Sequence, residues 1–326
     1  MLGDALTSYV VSRITAIVPA TNRPSTLEAC TEALTTAADP PEELIVIEEP
    51  SELGPAQARN LGASRASGDL LVFVDSDVAV HRDAFTRIRA HFDADPNLTA
   101  LFGSYDDAPA DPGLVSNFRN LLHHHVHQES AGPANTFWTG LGAVRREAFA
   151  SVHGFDERLE WLEDVDLGMR LAATGARLQL DAEIQGTHLK EWTLGSMLWT
   201  DFVGRGIPWT VLLLRHQTST STLNLGWRHR FSAATCLVGC GALATRRLGL
   251  FAASAALLVG LNRSFYLLLL RKRGPRDAVL DVGIHALHHL AGIAAVPAGI
   301  AVFLLGKGLP GPNGGAGVAS RRAEPA

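Results

Sequence analysis

Two clusters of carboxylates are the residues of this 326-residue chain best suited to chemistry. Asp75 and Asp77 follow the five apolar residues 70–74 and are separated by one serine. Carboxylate oxygens gathered at the end of a strand can hold Mg²⁺ or Mn²⁺, and such an ion would neutralise a diphosphate group. Asp at a strand end is also common in turns and helix caps, so the triplet alone does not decide the function.

The second cluster consists of Glu163 and Asp164, which open a predicted helix over residues 163–174. A carboxylate at such a position can accept a proton as a general base. Acidic residues in the first turn of a helix also interact favourably with the positive end of its dipole. Both interpretations can hold for Glu163 and Asp164 together.

The segments before the first cluster predict the elements that must position it. Apolar runs at 14–19, 43–47 and 69–74 indicate strands, and the polar-capped stretches 25–37 and 56–66 indicate helices. Strands that alternate with helices predict a mostly parallel sheet with helices on both faces. Ligands of such sheets bind beyond the carboxyl ends of the strands. The residues at those ends are Thr21 to Arg23, Glu48, Glu49 and Asp75 to Asp77.

A second ordered block follows, with a strand predicted over 137–144 and a short helix over 146–152. Between the two blocks lie four histidines, at 123, 124, 125 and 127. Consecutive residues of a helix point in different directions, so at most two of them, such as His123 and His127, share a helix face. We therefore expect a helix beside a binding groove rather than a metal cluster.

Composition excludes several classes of protein. Hydrophobic residues make up 47% of the chain and charged residues 19%, which is incompatible with a disordered or fibrous protein. Residues 228–326 carry twelve Lys or Arg against three Asp or Glu, so the preceding part is acidic and argues against nucleic acid as a partner. Three cysteines provide neither a disulfide framework nor a Cys-rich zinc site.

The basic, apolar remainder predicts a membrane region over residues 226–310 with two to three helices. Apolar runs at 231–245 and 248–261 are shorter than the roughly 20 residues of a straight span, so a buried hairpin is the alternative for them. The run 284–305 is long enough to cross a membrane. The basic residues 271–273 are expected to lie on the cytosolic side of that membrane. We expect a cytosolic domain over 1–225, a multi-pass inner-membrane location and a flexible tail over 311–326.

Six sequence motifs occur in a characteristic order. They are Ile17 to Arg23, Ala58 to Gly62, Asp75 to Asp77, Thr139-Gly140 with Ala143, Gly154 to Glu157, and Glu163 to Leu167. Over roughly residues 14–215 the chain thereby resembles the inverting, family 2 type of nucleotide-sugar glycosyltransferase. This resemblance implies the GT-A fold, a mostly parallel sheet flanked by helices that is joined to an acceptor-binding portion.

The resemblance also implies roles for residues on the donor side. The implied donor-binding residues are Pro19, Thr21, Arg23, Glu48, Arg59, Asp75 and Ser76. The implied ligands of a Mg²⁺ or Mn²⁺ ion are Asp77, Asp75 and His188. The second strand is followed by Glu-Glu-Pro-Ser, where the family has a sequence closer to Asp-Asp-Gly-Ser. The sequence therefore does not identify the base of the nucleotide.

On the acceptor side, the resemblance assigns the base to Asp164, with Glu163 contacting the acceptor or orienting the base. The acceptor-side residues are Trp138, Gly140, Arg205 and Trp209. Residues 204–209 are interpreted as a lid between diphosphate and membrane. For Gly140 the alternative is tight packing, and for His188 it is a role unrelated to metal.

The sequence therefore predicts a membrane-anchored, metal-dependent glycosyltransferase. It would move a sugar from a nucleotide-diphosphate donor to a lipid-linked or cell-envelope glycan acceptor in one inverting displacement. The motif Gln-x-x-Arg-Trp of polymerising relatives is absent, which favours a single transfer. The alternative is a catalytically inactive membrane scaffold or sensor that binds a nucleotide sugar. Catalysis requires Asp77 and Asp164 to share one cavity, whereas binding alone needs no base.

Overall fold

The computed structural model describes residues 12–216 and 226–306. The predicted tail over 311–326 and the predicted domain boundary at residue 225 lie outside the described residues.

The described strands form one eight-stranded sheet. They are β1 (Ile14–Pro19), β2 (Glu43–Ile47), β3 (Leu70–Val74), β4 (Val78–Val80), β5 (Leu98–Tyr105), β6 (Gly132–Ala134), β7 (Leu141–Arg145) and β8 (Arg177–His188). The strand order is β2-β1-β3-β7-β5-β8-β4, and β6 pairs with β8.

The helices before the C-terminal region cover the sheet and one of its ends. They are α1 (Leu27–Thr35), α2 (Pro55–Arg65), α3 (Ala84–Ala94), α4 (Leu114–Glu129), α5 (Arg146–Ser151), α6 (Glu163–Ala173), α7 (Leu194–Trp199) and α8 (Ile207–His216). A π-helix, Thr200–Gly206, joins α7 to α8 without a break. The C-terminal helices are α9 (Trp227–Ala244), α10 (Leu248–Leu261) and α11 (Arg263–Leu304).

The α/β architecture and the first three strands agree with the sequence-based expectation. β2, β1 and β3 are parallel neighbours, as predicted. Beyond β3 the sheet is mixed, because β7 runs antiparallel to both β3 and β5, whereas β5 and β8 are parallel. The fold is therefore a mixed α/β sheet with flanking helices rather than an all-parallel one.

Two apolar cores, one on each face, hold the helices on the sheet. β3 is buried along its whole length, which explains its uninterrupted run of apolar residues. One core joins α1 and α3 to the sheet, and the other joins α2, α5 and α6 to it. A Cβ at Gly62 of α2 would lie 2.4 Å from Cγ2 of Ile17, so only glycine allows α2 to approach β1 this closely.

The C-terminal helices pack against the part of the chain that carries the sheet, through α4, α7 and α8. Phe265, Tyr266 and Ile284 of α11 share an apolar cluster with Phe118 of α4 and Met197 of α7. The backbone of α11 breaks at Gly274, where φ is 79°, so residues 263–273 and 275–304 are two helical segments.

One of the described helices, α11, is long and apolar enough to cross a membrane by length and composition. α10 is apolar but shorter. The described residues therefore provide one candidate span and do not support the predicted multi-pass arrangement.

Candidate active site

Both acidic clusters line the same cavity, whose volume is about 300 Å³. Asp75 and Asp77 contribute from the end of β3, and Glu163 and Asp164 contribute from the first turn of α6. This is the arrangement on which the sequence-based hypothesis depends. Residues of α4, of the end of β8 and of the π-helix also line this cavity.

A tight turn between β3 and β4 presents the first cluster. The backbone N–H of Val78 donates to the carbonyl of Asp75, with 3.0 Å between the heavy atoms. The N–H of Leu189 donates to the carbonyl of Asp77 at 2.8 Å, which ties this turn to the end of β8. The hydroxyl of Thr26 donates to the carbonyl of Ser76 at 2.8 Å.

His188 is brought to Asp77 by strand pairing, since it is the register partner of Val78 in the antiparallel pair of β4 and β8. Its Nε2 lies 3.7 Å from an Asp77 carboxylate oxygen, and its ring stacks on Tyr105 with 4.1 Å between ring centres. Its buried Nδ1 has no hydrogen-bond partner among the described residues. Asp75 and Asp77 thus offer carboxylate oxygens, which Mg²⁺ and Mn²⁺ prefer, and His188 can add one nitrogen ligand beside Asp77. Although burial opposes it, His188 holds the pKa of Asp77 below its usual value.

Arg59 connects the two acidic clusters. It lies on α2, is 4% exposed and donates to Asp75 at 2.6 Å and to Glu163 at 2.5 Å. Burial disfavours its charge, but Asp75 and Glu163 more than offset that effect and raise its pKa. A guanidinium group with several donors in one plane suits this bridging position.

The second cluster stands at the buried start of α6. Leu162 precedes it in the left-handed conformation, with φ of 60°, and so turns the chain into the helix. Asp164 accepts from the backbone N–H of Val165 at 2.7 Å and of Thr139 at 3.4 Å. Burial raises the pKa of Glu163 to about 7, with Arg59 opposing and Asp164 reinforcing the shift. Burial also raises the pKa of Asp164.

A cationic group that the sequence analysis missed lines the same cavity. Arg119 of α4 donates to Asp201 of the π-helix at 2.6 Å, and its buried Nη2 has no hydrogen-bond partner within residues 12–216 and 226–306. Arg205 lies near it, and burial together with Arg119 lowers the pKa of Arg205 to about 10. Arg119 precedes His123 and His127 by one and two helical turns, and this shared face was the available signal.

His123 and His127 lie on one face of α4, as predicted, and both line the cavity. Their ring centres are 3.9 Å apart, and Trp138 packs on both rings. Burial holds the pKa of His123 well below its usual value and lowers that of His127 to about 4. The two imidazoles are therefore neutral at physiological pH.

The predicted acceptor-side residues divide between the cavity and the core. Trp138, Arg205 and Trp209 line the cavity. Gly140 does not line it, and a Cβ there would lie 2.0 Å from the Trp138 ring, which favours the packing interpretation. The predicted lid is part of a continuous helix, in which Gly204 lies against Trp161.

Several predicted donor-binding residues lie outside the cavity lining. They are Pro19, Thr21, Arg23, Glu48 and Ser76. Thr21 donates to the carbonyl of Leu53 at 3.0 Å, and Arg23 pairs with Glu49 at the surface. Glu48 is exposed. All five stand at the carboxyl ends of β1, β2 and β3, so their donor-binding role stays a prediction about the adjoining surface.

Residues 36–152 match the sequence model of the family described as glycosyl transferase family 2. Over this span the chain is similar to a family 2 glycosyltransferase domain. The pre-mycofactocin glycosyltransferase of Mycobacterium tuberculosis is 29% identical over 195 residues, which cover 55% of this chain and 39% of that protein. An uncharacterized glycosyltransferase of Haemophilus influenzae is 24% identical over 187 residues, covering 48% of this chain and 60% of that one. The chain thus spans less than two thirds of either relative.

The GT-A fold of this glycosyltransferase domain is supported by a solved structure. A mannosyltransferase from Pyrobaculum calidifontis, in complex with GDP-Man and Mn²⁺, has a TM-score of 0.52 and 16% sequence identity. The likeness covers 91% of this chain and 88% of that chain, so it includes the C-terminal helices as well as the sheet. It establishes the fold and not the substrates.

Proposed function

We propose that the protein transfers a sugar from a nucleotide-diphosphate donor to an acceptor hydroxyl group, with inversion at the anomeric carbon. The observation that carries this proposal is the shared cavity: Asp77 and Asp164 line it together, and buried Arg59 links Asp75 to Glu163. A protein that only bound the donor would have no need for a carboxylate with a raised pKa beside the donor site.

The donor side would hold a divalent ion. Asp77 and His188 would bind it directly, with Asp75 beside them on the same turn. The ion, Mg²⁺ or Mn²⁺, would neutralise the diphosphate as it leaves. The Pyrobaculum protein of the same fold holds Mn²⁺ with its nucleotide sugar, which supports this assignment.

Asp164 is the proposed base. It would remove the proton from the acceptor hydroxyl while that oxygen attacks the anomeric carbon and the diphosphate departs. The N–H groups of Val165 and Thr139 fix the carboxylate in place. Glu163 orients this region through Arg59, and Trp138 and Trp209 provide apolar walls for sugar or acceptor.

Arg205 and Arg119 would attract the anionic parts of the substrates. Both line the cavity, and Arg119 has an unpartnered buried donor. Guanidinium groups bind phosphate oxygens through paired hydrogen bonds. This position suits the donor diphosphate or the phosphate of a lipid-linked acceptor.

A membrane position would deliver such an acceptor. The π-helix that carries Arg205 continues directly into α8, and α8 packs against α11, the one candidate span among the described helices. Gly299 of α11 approaches Thr210 of α8 so closely that a Cβ would lie 2.5 Å away. An acceptor with an apolar anchor and a phosphate group, such as a lipid-linked glycan, fits this placement.

The test is a panel of nucleotide sugars offered to the purified full chain with Mg²⁺ or Mn²⁺, and then with chelator. We expect slow hydrolysis or transfer of one donor, which chelation abolishes and added ion restores. Donor binding without turnover under every condition, with and without a lipid phosphate acceptor, would contradict the proposal and favour a scaffold.

A further inference from the structure

Three histidines from two helices lie close together where the C-terminal helices contact the π-helix, next to the active-site cavity. They are His229 of α9 and His288 and His289 of α11. Each offers one ring nitrogen, and these nitrogen atoms all lie within 4.8 Å of one another. The proposed donor-side ion would use none of these residues.

His288 already has the hydrogen bond that a metal-bound histidine normally makes. Its Nδ1 lies 2.7 Å from a carboxylate oxygen of Asp201. Because an ionised carboxylate can only accept, Nδ1 carries the hydrogen and Nε2 carries the free lone pair of the neutral ring. That Nε2 is buried, and no described residue forms a hydrogen bond with it. Carboxylate–histidine pairs of this kind orient the imidazole toward a metal.

His289 gives a second, independent indication. It is 1% exposed, and in the part of the chain that the structure describes neither of its ring nitrogens has a hydrogen-bond partner. A buried polar group without a partner is unfavourable and calls for an explanation. The His229 and His289 ring centres are 4.5 Å apart, so His289 lies against another imidazole with which it forms no hydrogen bond.

The site has a route for entry. His229 also lines a separate cavity of about 230 Å³ between α4, α9 and α11. Glu129 and Arg228 stand on its lining as well. An ion could therefore reach the cluster without passing through the catalytic cavity.

We infer that His229, His288 and His289 bind one Zn²⁺ ion. Three neutral imidazoles with one open position form a ligand set that zinc accepts, whereas Mg²⁺ and Mn²⁺ prefer oxygen ligands. With zinc–nitrogen bonds of about 2.1 Å, binding would draw together ring nitrogens that here lie within 4.8 Å of one another. The bound ion would link α9 to α11. Because His288 is hydrogen-bonded to Asp201, which also pairs with Arg119, the ion would be connected to the lining of the active-site cavity.

The experiment measures zinc in the full chain carrying Asp77→Asn, which removes a ligand of the proposed donor-side ion. This protein is stripped with chelator, reloaded with Zn²⁺, desalted and analysed for zinc per chain, and its thermal unfolding is recorded with and without zinc. His229→Asn and His289→Asn are added singly to the same background. His153→Gln, at an exposed histidine remote in sequence from the cluster, is the matched control.

We expect one zinc per chain and a higher unfolding temperature with zinc in the background protein and in the His153→Gln control. Both effects should be lost in each cluster variant. If His289→Asn fails to fold, His229→Asn, at a half-buried position, decides the outcome. Absence of retained zinc in the background protein, or equal zinc in His229→Asn, would overturn the inference, whatever the outcome for sugar transfer.

Discussion

At the scale of single residues, Arg59 helps to explain how eight charged side chains, itself included, can line one small cavity. Its guanidinium pairs with Asp75 and Glu163 at once and so offsets part of their negative charge. Removing one partner from a buried ion pair typically costs about 3–5 kcal/mol, because the remaining charge stays buried. The cluster therefore depends on Arg59 for its stability as well as for its geometry.

Replacing Asp164 with Asn tests the proposed base. The amide has nearly the same shape, so donor binding should be almost unchanged, but it cannot accept a proton from the acceptor. We expect the transfer rate to fall about 10²- to 10⁴-fold. Donor affinity from calorimetry and turnover from product release would be compared for both proteins. Undiminished turnover would remove Asp164 from the mechanism.

The pH dependence tests the coupling of Glu163 and Asp164. Burial raises the pKa of both carboxyl groups, that of Glu163 to about 7, and a base must be ionised to act. Transfer should therefore be lost as the pH falls through the raised pKa of Asp164, the proposed base. In Glu163→Gln the neighbouring negative charge is gone and the pKa of Asp164 falls, so the decline should move to lower pH. A profile of kcat/KM that stays in place would refute this coupling.

Residue types and order were enough to find the carboxylates, because each cluster directly follows or opens a secondary-structure element. They were not enough to find Arg119, whose partner Asp201 is distant along the chain. The same limit explains Glu48, which stands at a strand end and yet lies outside the cavity lining. Position along a strand predicts an edge of the sheet, but side-chain contacts across the fold decide what reaches the cavity.

At the scale of elements, the segment before β7 shows where the sequence pattern misled. A strand was predicted over 137–144, but β7 begins at Leu141. Phe137 is buried in the core beneath α6, and the chain then loops so that the N–H of Thr139 reaches Asp164. Phe137 is apolar because it is buried in a loop, and not because it belongs to a strand. Local periodicity cannot predict that β7 pairs antiparallel with β3 and β5.

Gly168 should be essential for this contact between α6 and the loop. A Cβ there would lie 2.2 Å from the backbone nitrogen of Phe137. Gly168→Ala should therefore lower the free energy of unfolding by roughly 1–3 kcal/mol, despite the better helix propensity of alanine. Gly195→Ala in α7 is the control, since its Cβ would meet only the Thr193 hydroxyl oxygen at 4.0 Å.

Denaturant unfolding of Gly168→Ala, Gly195→Ala and the wild type in one detergent compares their free energies of unfolding. The control should match or slightly exceed the wild type. If Gly168→Ala were as stable as the control, the close packing of α6 against the loop would be wrong.

At the scale of the whole molecule, the distribution of exposed apolar residues separates two regions. Among the described residues, the large apolar side chains that are exposed all lie at Leu194 or later. Trp227, Phe231 and Leu248 are 64%, 59% and 67% exposed. A surface of this kind indicates a binding face for membrane or protein.

We expect the full chain to float with phospholipid vesicles in a density gradient and to remain with them in 1 M salt. Apolar insertion is not screened by ions, whereas attachment through the basic residues alone would be. Release by salt would leave only electrostatic attachment, and failure to float would contradict the proposed membrane position.

The most direct test of the central claim is the location of the donor-side ion. Crystals of the full chain grown with Mn²⁺ and a nucleoside diphosphate would be measured at a wavelength where manganese scatters anomalously. The account predicts an anomalous peak bonded to the Asp77 carboxylate and the His188 imidazole, inside the cavity that Asp164 also lines. A fully occupied manganese peak elsewhere, with none between Asp77 and His188, would contradict it.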